Sequence, residues 1–322
     1  MRLKLVRENT NFDFFSRWKL WLGISALMMM IAFGSYLYQG LNFGIDFRGG
    51  TTIRTESTQP VDIGAYRDTL ATLGLGDISI TEVFDPNFRD DQNVAMIRVQ
   101  AQDGQEAVTI ETIGTLQTAL QTIDAEMKFP SVESVGPKVS GELIKTAALA
   151  VVLAIGAVLI YIWLRFEWQF ALGAVAALVH DVILTIGVFA ALQIKFDLAI
   201  IAALLTIVGY SLNDTVVVFD RVRENLRKYK KKPLAEVLNV SINETLSRTV
   251  MTSVTTLLAL ISLFVLGGDV IRGFVFAMIW GVIVGTYSSV FVASSILLYL
   301  GVKRDWSKID PKASGQYANI DA

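Results

Sequence analysis

Six apolar runs, each about as long as a bilayer core requires of a helix, leave this chain few folds to choose from. They lie near Leu20–Tyr38, Leu143–Leu164, Phe170–Leu192, Leu198–Phe219, Thr249–Leu266 and Phe274–Leu300. No proline interrupts them; all six prolines stand between or beyond the runs. In hydrocarbon every backbone amide must find its partner within the protein, so such runs are helices. The predicted class is a polytopic α-helical membrane protein with six transmembrane helices. Charged residues make up 18% of the 322, below the roughly one quarter usual for soluble domains. The chain has no cysteine and a single histidine, which removes disulfides, thiolate chemistry and multi-His metal sites. No cofactor and no metal is expected.

Lysine and arginine set the expected orientation. Arg2, Lys4, Arg7, Arg17 and Lys19 precede the first run, which is too long for a cleaved signal segment and lacks an A-x-A-like site. It reads as an uncleaved anchor. Arg221, Arg223, Arg227, Lys228, Lys230, Lys231 and Lys232 follow the fourth run, and Lys303, Arg304 and Lys308 follow the sixth. The expected layout is a cytoplasmic N-terminus over 1–19, a first span over 20–38, a periplasmic domain over 39–141, five further spans within 142–301 and a cytoplasmic tail over 302–322. The basic stretch 220–247 is expected to be a cytoplasmic loop.

The segment Leu41–Lys138 carries fifteen acidic and seven basic residues and reads as a soluble domain. Gly50–Glu56 is strand-like, and Ile63, Tyr66, Leu70 and Leu73 then recur at helical spacing within Val61–Leu73. Strands follow near Ile78–Phe84 and Val94–Ala101 around a turn at Asp85–Asn93. A second helix is predicted near Gln105–Ile123 and a last strand near Ser131–Val135. The order βαββαβ is the ferredoxin-like α+β arrangement. Such a module docks or contacts a substrate; nothing in it points to an enzyme.

Ionisable groups inside the spans cost at least ~2.5 kcal/mol each on insertion scales, so they point to function. On the fourth span Thr206, Tyr210, Asn213, Asp214 and Val217 share one face; on the fifth, Thr245, Arg248, Thr249, Thr252, Thr255 and Thr256 form a second stripe. Opposite chain directions bring Asp214 and Arg248 to comparable depth in the inner half of the bilayer. Their pairing accounts for both residues, with a structural contact for Asp214 and snorkelling of Arg248 as alternatives. The third span holds His180-Asp181, either a hydrogen-bonded helix contact or part of a proton relay, since histidine titrates near physiological pH. Gly281, Gly285, Ser288 and Ser289 read as small residues that allow close helix packing.

Enzyme motifs are absent. His180 is followed by Asp-Val-Ile-Leu rather than E-x-x-H, Gly209-Tyr-Ser211 continues Leu-Asn, and no phosphate-binding G-x-x-x-x-G-K-[ST] occurs. The basic stretch Arg227–Lys232 fits a membrane-protein loop, and no nucleic acid is expected.

Several blocks carry a family resemblance. Phe43-Gly-Ile-Asp-Phe-Arg-Gly-Gly50, Val135-Gly-Pro-Lys-Val-Ser-Gly-Glu142, Ala177-Leu-Val-His-Asp-Val182, Gly209–Arg223 and Ser241–Thr256 together resemble the SecF family, in order and over nearly the whole chain. The resemblance implies half of a resistance-nodulation-division-type unit in a bacterial inner membrane, with SecD supplied in trans as obligate partner. It implies the SecYEG translocon, a translocating polypeptide, and YajC and YidC as further candidate partners. The implied function is use of the proton-motive force to promote late stages of export, after the SecA ATPase step. By the same resemblance the proton pathway would comprise Asp214 and Arg248; the polar faces of the spans add Asn213, His180, Asp181 and Thr252 as candidates beside them. A non-conducting subunit that stabilises SecD or the channel is the alternative. A small-molecule/proton antiporter is a further one, which the small size of the soluble segment disfavours.

Overall fold

The computed structural model describes residues 10–75, 78–86, 88–89, 91–100 and 109–302. Helix α1 (Trp18–Gln39) leads through a single turn, α2 (Ile45–Arg48), into β1 (Gly50–Ser57), α3 (Ile63–Ala71), β2 (Ile78–Val83), β3 (Asn93–Gln100), α4 (Ile110–Leu120) and β4 (Lys128–Val135). Five long helices follow: α5 (Pro137–Arg165), α6 (Trp168–Leu192), α7 (Leu198–Lys228), α8 (Leu234–Leu266) and α9 (Gly268–Ser288). The last of these continues through a π-helical turn, Ser289–Ala293, into α10 (Ser294–Leu300). Among the described residues six helices are therefore long and apolar enough to cross a membrane.

The expected loop over 220–247 is corrected. α7 runs on to Lys228 and α8 starts at Leu234, so only Tyr229–Pro233 is a connection. Hydropathy marks where lipid contact ends, whereas these helices continue on side-chain pairs: Arg221 Nε and Asn225 Nδ2 both donate to Glu244 Oε2, at 2.7 and 2.6 Å. The segment before α1 straps across the α8 extension. Asn243 Oδ1 accepts from Phe12 N and Asn239 Oδ1 from Phe14 N, each at 2.8 Å. The basic residues expected at 2, 4, 7, 303, 304 and 308 lie outside the described residues. So do Ala101, 105–108 at the start of the expected second helix, and positions 87 and 90 of the turn.

α6, α7 and α9 form the inner layer of the bundle, while α1, α5 and α8 keep most of their apolar surface outward. Small residues set the close approaches. A Cβ at Gly187 on α6 would collide with Ala32 of α1, and one at Gly281 on α9 would enter the Ile207 side chain of α7. The packing role predicted for Gly281 is what the helices use.

The βαββαβ order is present, and its four strands form one antiparallel sheet in the order β2-β3-β1-β4. Alternation turns Ile53, Ile80, Ala95, Ile97 and Val99 to one face, where α3 and α4 cover them with Tyr66, Leu70, Leu116 and Leu120. Asp62 and Thr109 cap the two helices by accepting from Ala65 N at 3.1 Å and Thr112 N at 3.2 Å. The other sheet face carries Thr52, Arg54 and Arg98 and lies over α2. A second tie joins this domain to the bundle: Phe84 N donates to Asp269 Oδ2 at 2.7 Å, and Asp269 N donates to Phe84 O at 3.1 Å.

Buried Asp124 closes the turn after α4. It accepts from Ser57 Oγ at 2.6 Å and from Thr58 N at 3.0 Å. The Ser57 hydroxyl, followed by the Glu126 amide, holds this carboxyl below its ordinary range against the opposing effect of burial. A depressed folded-state pKa gives stability that is present above the unfolded value and lost as pH falls through the folded one. Residues 41–138 expressed alone are expected to fold, and Asp124→Ala to cost about 2 kcal/mol at neutral pH, because the hydrogen bonds are to a charge. Asp124→Asn is expected to flatten the acid limb of the stability curve. Circular dichroism against denaturant from pH 7 to 3 measures both, and a disordered spectrum for the parent segment would refute the first expectation.

Candidate functional site

Two buried carboxylates lie within the spans, and their surroundings differ. Asp181 on α6 is fully buried, and both of its carboxylate oxygens have partners. Its Oδ1 meets His180 Nδ1 at 3.0 Å, and its Oδ2 accepts from Ser211 Oγ of α7 at 2.8 Å and Ser288 Oγ of α9 at 2.9 Å. Neighbouring residues on a helix ordinarily diverge, so the His180–Asp181 contact is drawn together by this three-helix cluster. His180 is buried as well, and its Nε2 has no hydrogen-bond partner among the described residues. Its ring lies 6.1 Å from that of Tyr287, whose hydroxyl is 2.9 Å from Ser25 Oγ on α1.

Asp214 on α7 is also buried, at 4% exposure, yet it is poorly satisfied. Thr252 Oγ1 of α8 donates to its Oδ1 at a long 3.4 Å, and the same hydroxyl donates to Thr249 O at the better distance of 2.9 Å. One hydroxyl proton serves two acceptors, so the carboxylate is nearly bare of donors among the described residues. Ionised and dry, such a group is expensive to bury.

The expected Asp214–Arg248 ion pair does not form. Arg248 is exposed and acts on Asp214 only at longer range; Thr252, one turn further along α8, makes the contact instead. Asn213 points to the exposed side of α7 beside Thr206, so the stripe read from the sequence divides: Asp214 turns inward and Asn213 outward. Tyr210 OH donates to Thr256 Oγ1 at 3.3 Å and joins the α7 and α8 stripes. Thr252 and Asp214 thus meet between α7 and α8, while His180 and Asp181 reach α7 at Ser211, one turn before Asp214.

Ser211 and Ser288 are the partners that sequence reasoning did not assign. The signal was available in part, since Ser211 precedes Asp214 by one helical turn in the same polar block. Among the described residues no three His, Asp or Glu side chains gather as a metal site would require.

Residues 115–303 match the family described as "Protein export membrane protein SecD/SecF, C-terminal", and residues 39–61 match the SecD/SecF GG motif. The protein translocase subunit SecF of Cereibacter sphaeroides is 64% identical over 321 residues, covering 100% of this chain and 99% of that protein. The subunit of the same name from Rhodobacter capsulatus is 62% identical, over 96% and 95% of the two chains. Among solved structures, SecDF from Thermus thermophilus, described as a translocon-associated membrane protein, superposes with a TM-score of 0.80 at 34% identity. It matches 93% of this chain, which spans 40% of that longer one. SecDF in its super-membrane-facing form gives a TM-score of 0.68 at 35% identity over the same shares.

Proposed function

The chain belongs to the SecD/SecF family of protein export membrane proteins, and on that premise we propose that it couples proton movement to polypeptide export. In this reading Asp214 is the proton carrier. The observation that carries it is the contrast between the two buried carboxylates: Asp181 has a close partner on each oxygen, whereas Asp214 has one shared hydroxyl at 3.4 Å. In one conformation Asp214 is protonated and dry; in the other it is ionised opposite Arg248, which swings in from its exposed position. Thr252 holds the carboxyl between the two, and Asn213 faces a partner across the bare side of α7. His180 and Asp181 join the path only by way of Ser211.

The partner for that bare side is SecD, and the assembly works beside the SecYEG translocon, with YajC and YidC as accessory proteins. The chain sits in the bacterial inner membrane with both termini cytoplasmic, so the α+β domain is periplasmic and meets the emerging polypeptide. The energy scale is sufficient: one charge crossing ~100 mV is worth about 2.3 kcal/mol, which shifts a two-state equilibrium by roughly fiftyfold.

Reconstitution with SecD and the translocon in vesicles tests the reading. Proton flux under an imposed gradient is expected to rise when a polypeptide is in transit. Equal flux with and without substrate would favour a non-conducting, stabilising subunit instead.

A further inference from the structure

Helix α7 does not cap itself. Its own N-cap residue, Asp197, makes no capping hydrogen bond, and its first turn contains no acidic residue. Asp197 pairs instead with Lys195 at 3.4 Å. The cap comes from 152 residues earlier in the chain: Asp46 Oδ2, on α2, accepts from Leu198 N at 3.0 Å. A carboxylate there satisfies a free amide and complements the positive end of the helix dipole.

The contact is built in. Gly44 N donates to Phe196 O and Phe196 N donates to Asn42 O, both at 2.8 Å, so residues 42–44 pair with the α6–α7 connection like a short strand. Asn42 Nδ2 donates to Gln193 O at 2.9 Å, and Gln193 itself holds a left-handed backbone, φ +52°. Gly44 eases the approach: a Cβ there would stand 3.2 Å from the Asp197 Cβ and 2.9 Å from Lys195 Cε. Phe43, Phe47 and Phe196 pack their rings around the joint, with centroids 5.7–6.1 Å apart.

Helix α2 also lies against the sheet. Two glycines, Gly49 and Gly50, both at positive φ, turn the chain from α2 straight into β1, the strand paired with β3. Arg98 of β3 is half-buried on the sheet face above α2. Burial draws its guanidinium below the ordinary value, while the charges of Asp197 and Asp46 act in the opposite sense.

We propose that Asp46 is the positioning residue that joins the α+β domain to the N-terminus of α7, and through α7 to Asp214. Movement of the domain and the state of Asp214 are then coupled by a joint that stays closed. This rests on the proton-carrier reading of Asp214 given above. Because the role is that of a cap, an uncharged acceptor of the same shape suffices, and Asn caps as well as Asp.

The test uses the full chain with SecD in vesicles and reads gradient-stimulated export. Asp46→Asn is expected to stay near wild type, and Asp46→Ala to lose about fivefold of the stimulation, the shift produced by removing an average cap. Wild-type behaviour of Asp46→Ala or equal damage by Asp46→Asn would each overturn the proposal. Asp214→Asn in the same vesicles separates the two readings: wild-type stimulation there sinks the carrier assignment. The joint is then judged by hydrogen exchange, where Asp46→Ala must speed exchange of the Leu198 amide and Asp46→Asn must leave it near the wild-type rate.

Discussion

Asp214→Asn is expected to bring export under a proton gradient down to the gradient-free rate, in membranes that contain wild-type amounts of assembled complex. Asparagine keeps the size of the side chain and can still accept from Thr252, so the α7–α8 contact survives. It cannot gain or lose a proton. Asp214→Glu is expected to keep part of the stimulation, because the carboxylate remains on a longer stem. Arg248→Lys is expected to lose more than conservation of charge implies, since the planar guanidinium fork is gone. The measurement is the export rate with and without the gradient, normalised to complex recovered from the membrane. A gradient-dependent, wild-type rate for Asp214→Asn would make the carboxylate structural.

Asp181→Leu is expected to have the opposite profile, with damage to the fold. The substitution strips the acceptor from Ser211, Ser288 and His180 Nδ1 at once. Two of those contacts hold α7 and α9 to α6. Interhelical hydrogen bonds in membranes average well under 2 kcal/mol each, so a loss of about 2–3 kcal/mol is expected, including the cost of buried donors left unpaired. Unfolding in mixed detergent reads it, as an earlier midpoint for Asp181→Leu and an unchanged one for Asp214→Asn. Equal midpoints for Asp181→Leu and wild type would mean that the cluster does not hold the helices together.

The spans and the βαββαβ order are legible in the sequence because they rest on periodicity and run length, which single residues seldom override. Helix ends are less so. α7 and α8 continue well past their apolar stretches, since Arg221, Glu224, Asn225 and Glu244 satisfy one another in a pattern that hydropathy does not register. The π turn at Ser289–Ala293 has no signal in residue type; Ser294 Oγ donates back to Ser289 O at 3.1 Å, a contact visible only once the helix is built. At the site, helical spacing places Asp214, Asn213 and Thr206 on one stripe, but a stripe about 100° wide can straddle an interface. Here the boundary of α8 falls across it, so Asp214 is inside and Asn213 outside. The depth argument brings Arg248 near Asp214 without deciding which of Arg248 or Thr252, one turn apart, makes contact.

The length of α7 has a mechanical consequence. At 1.5 Å per residue its 31 residues form a rod of about 46 Å, against a hydrocarbon thickness of ~30 Å. Roughly a third of it therefore protrudes, paired with the start of α8. A tilt of about 10° around the end gripped by Asp46 would sweep the far end through roughly 8 Å. That far end bears the Tyr229–Pro233 turn and lies beside the segment that Asn239 and Asn243 strap down. A small rotation on one side of the membrane thus arrives on the other as a displacement the size of a side chain, amplified by leverage alone.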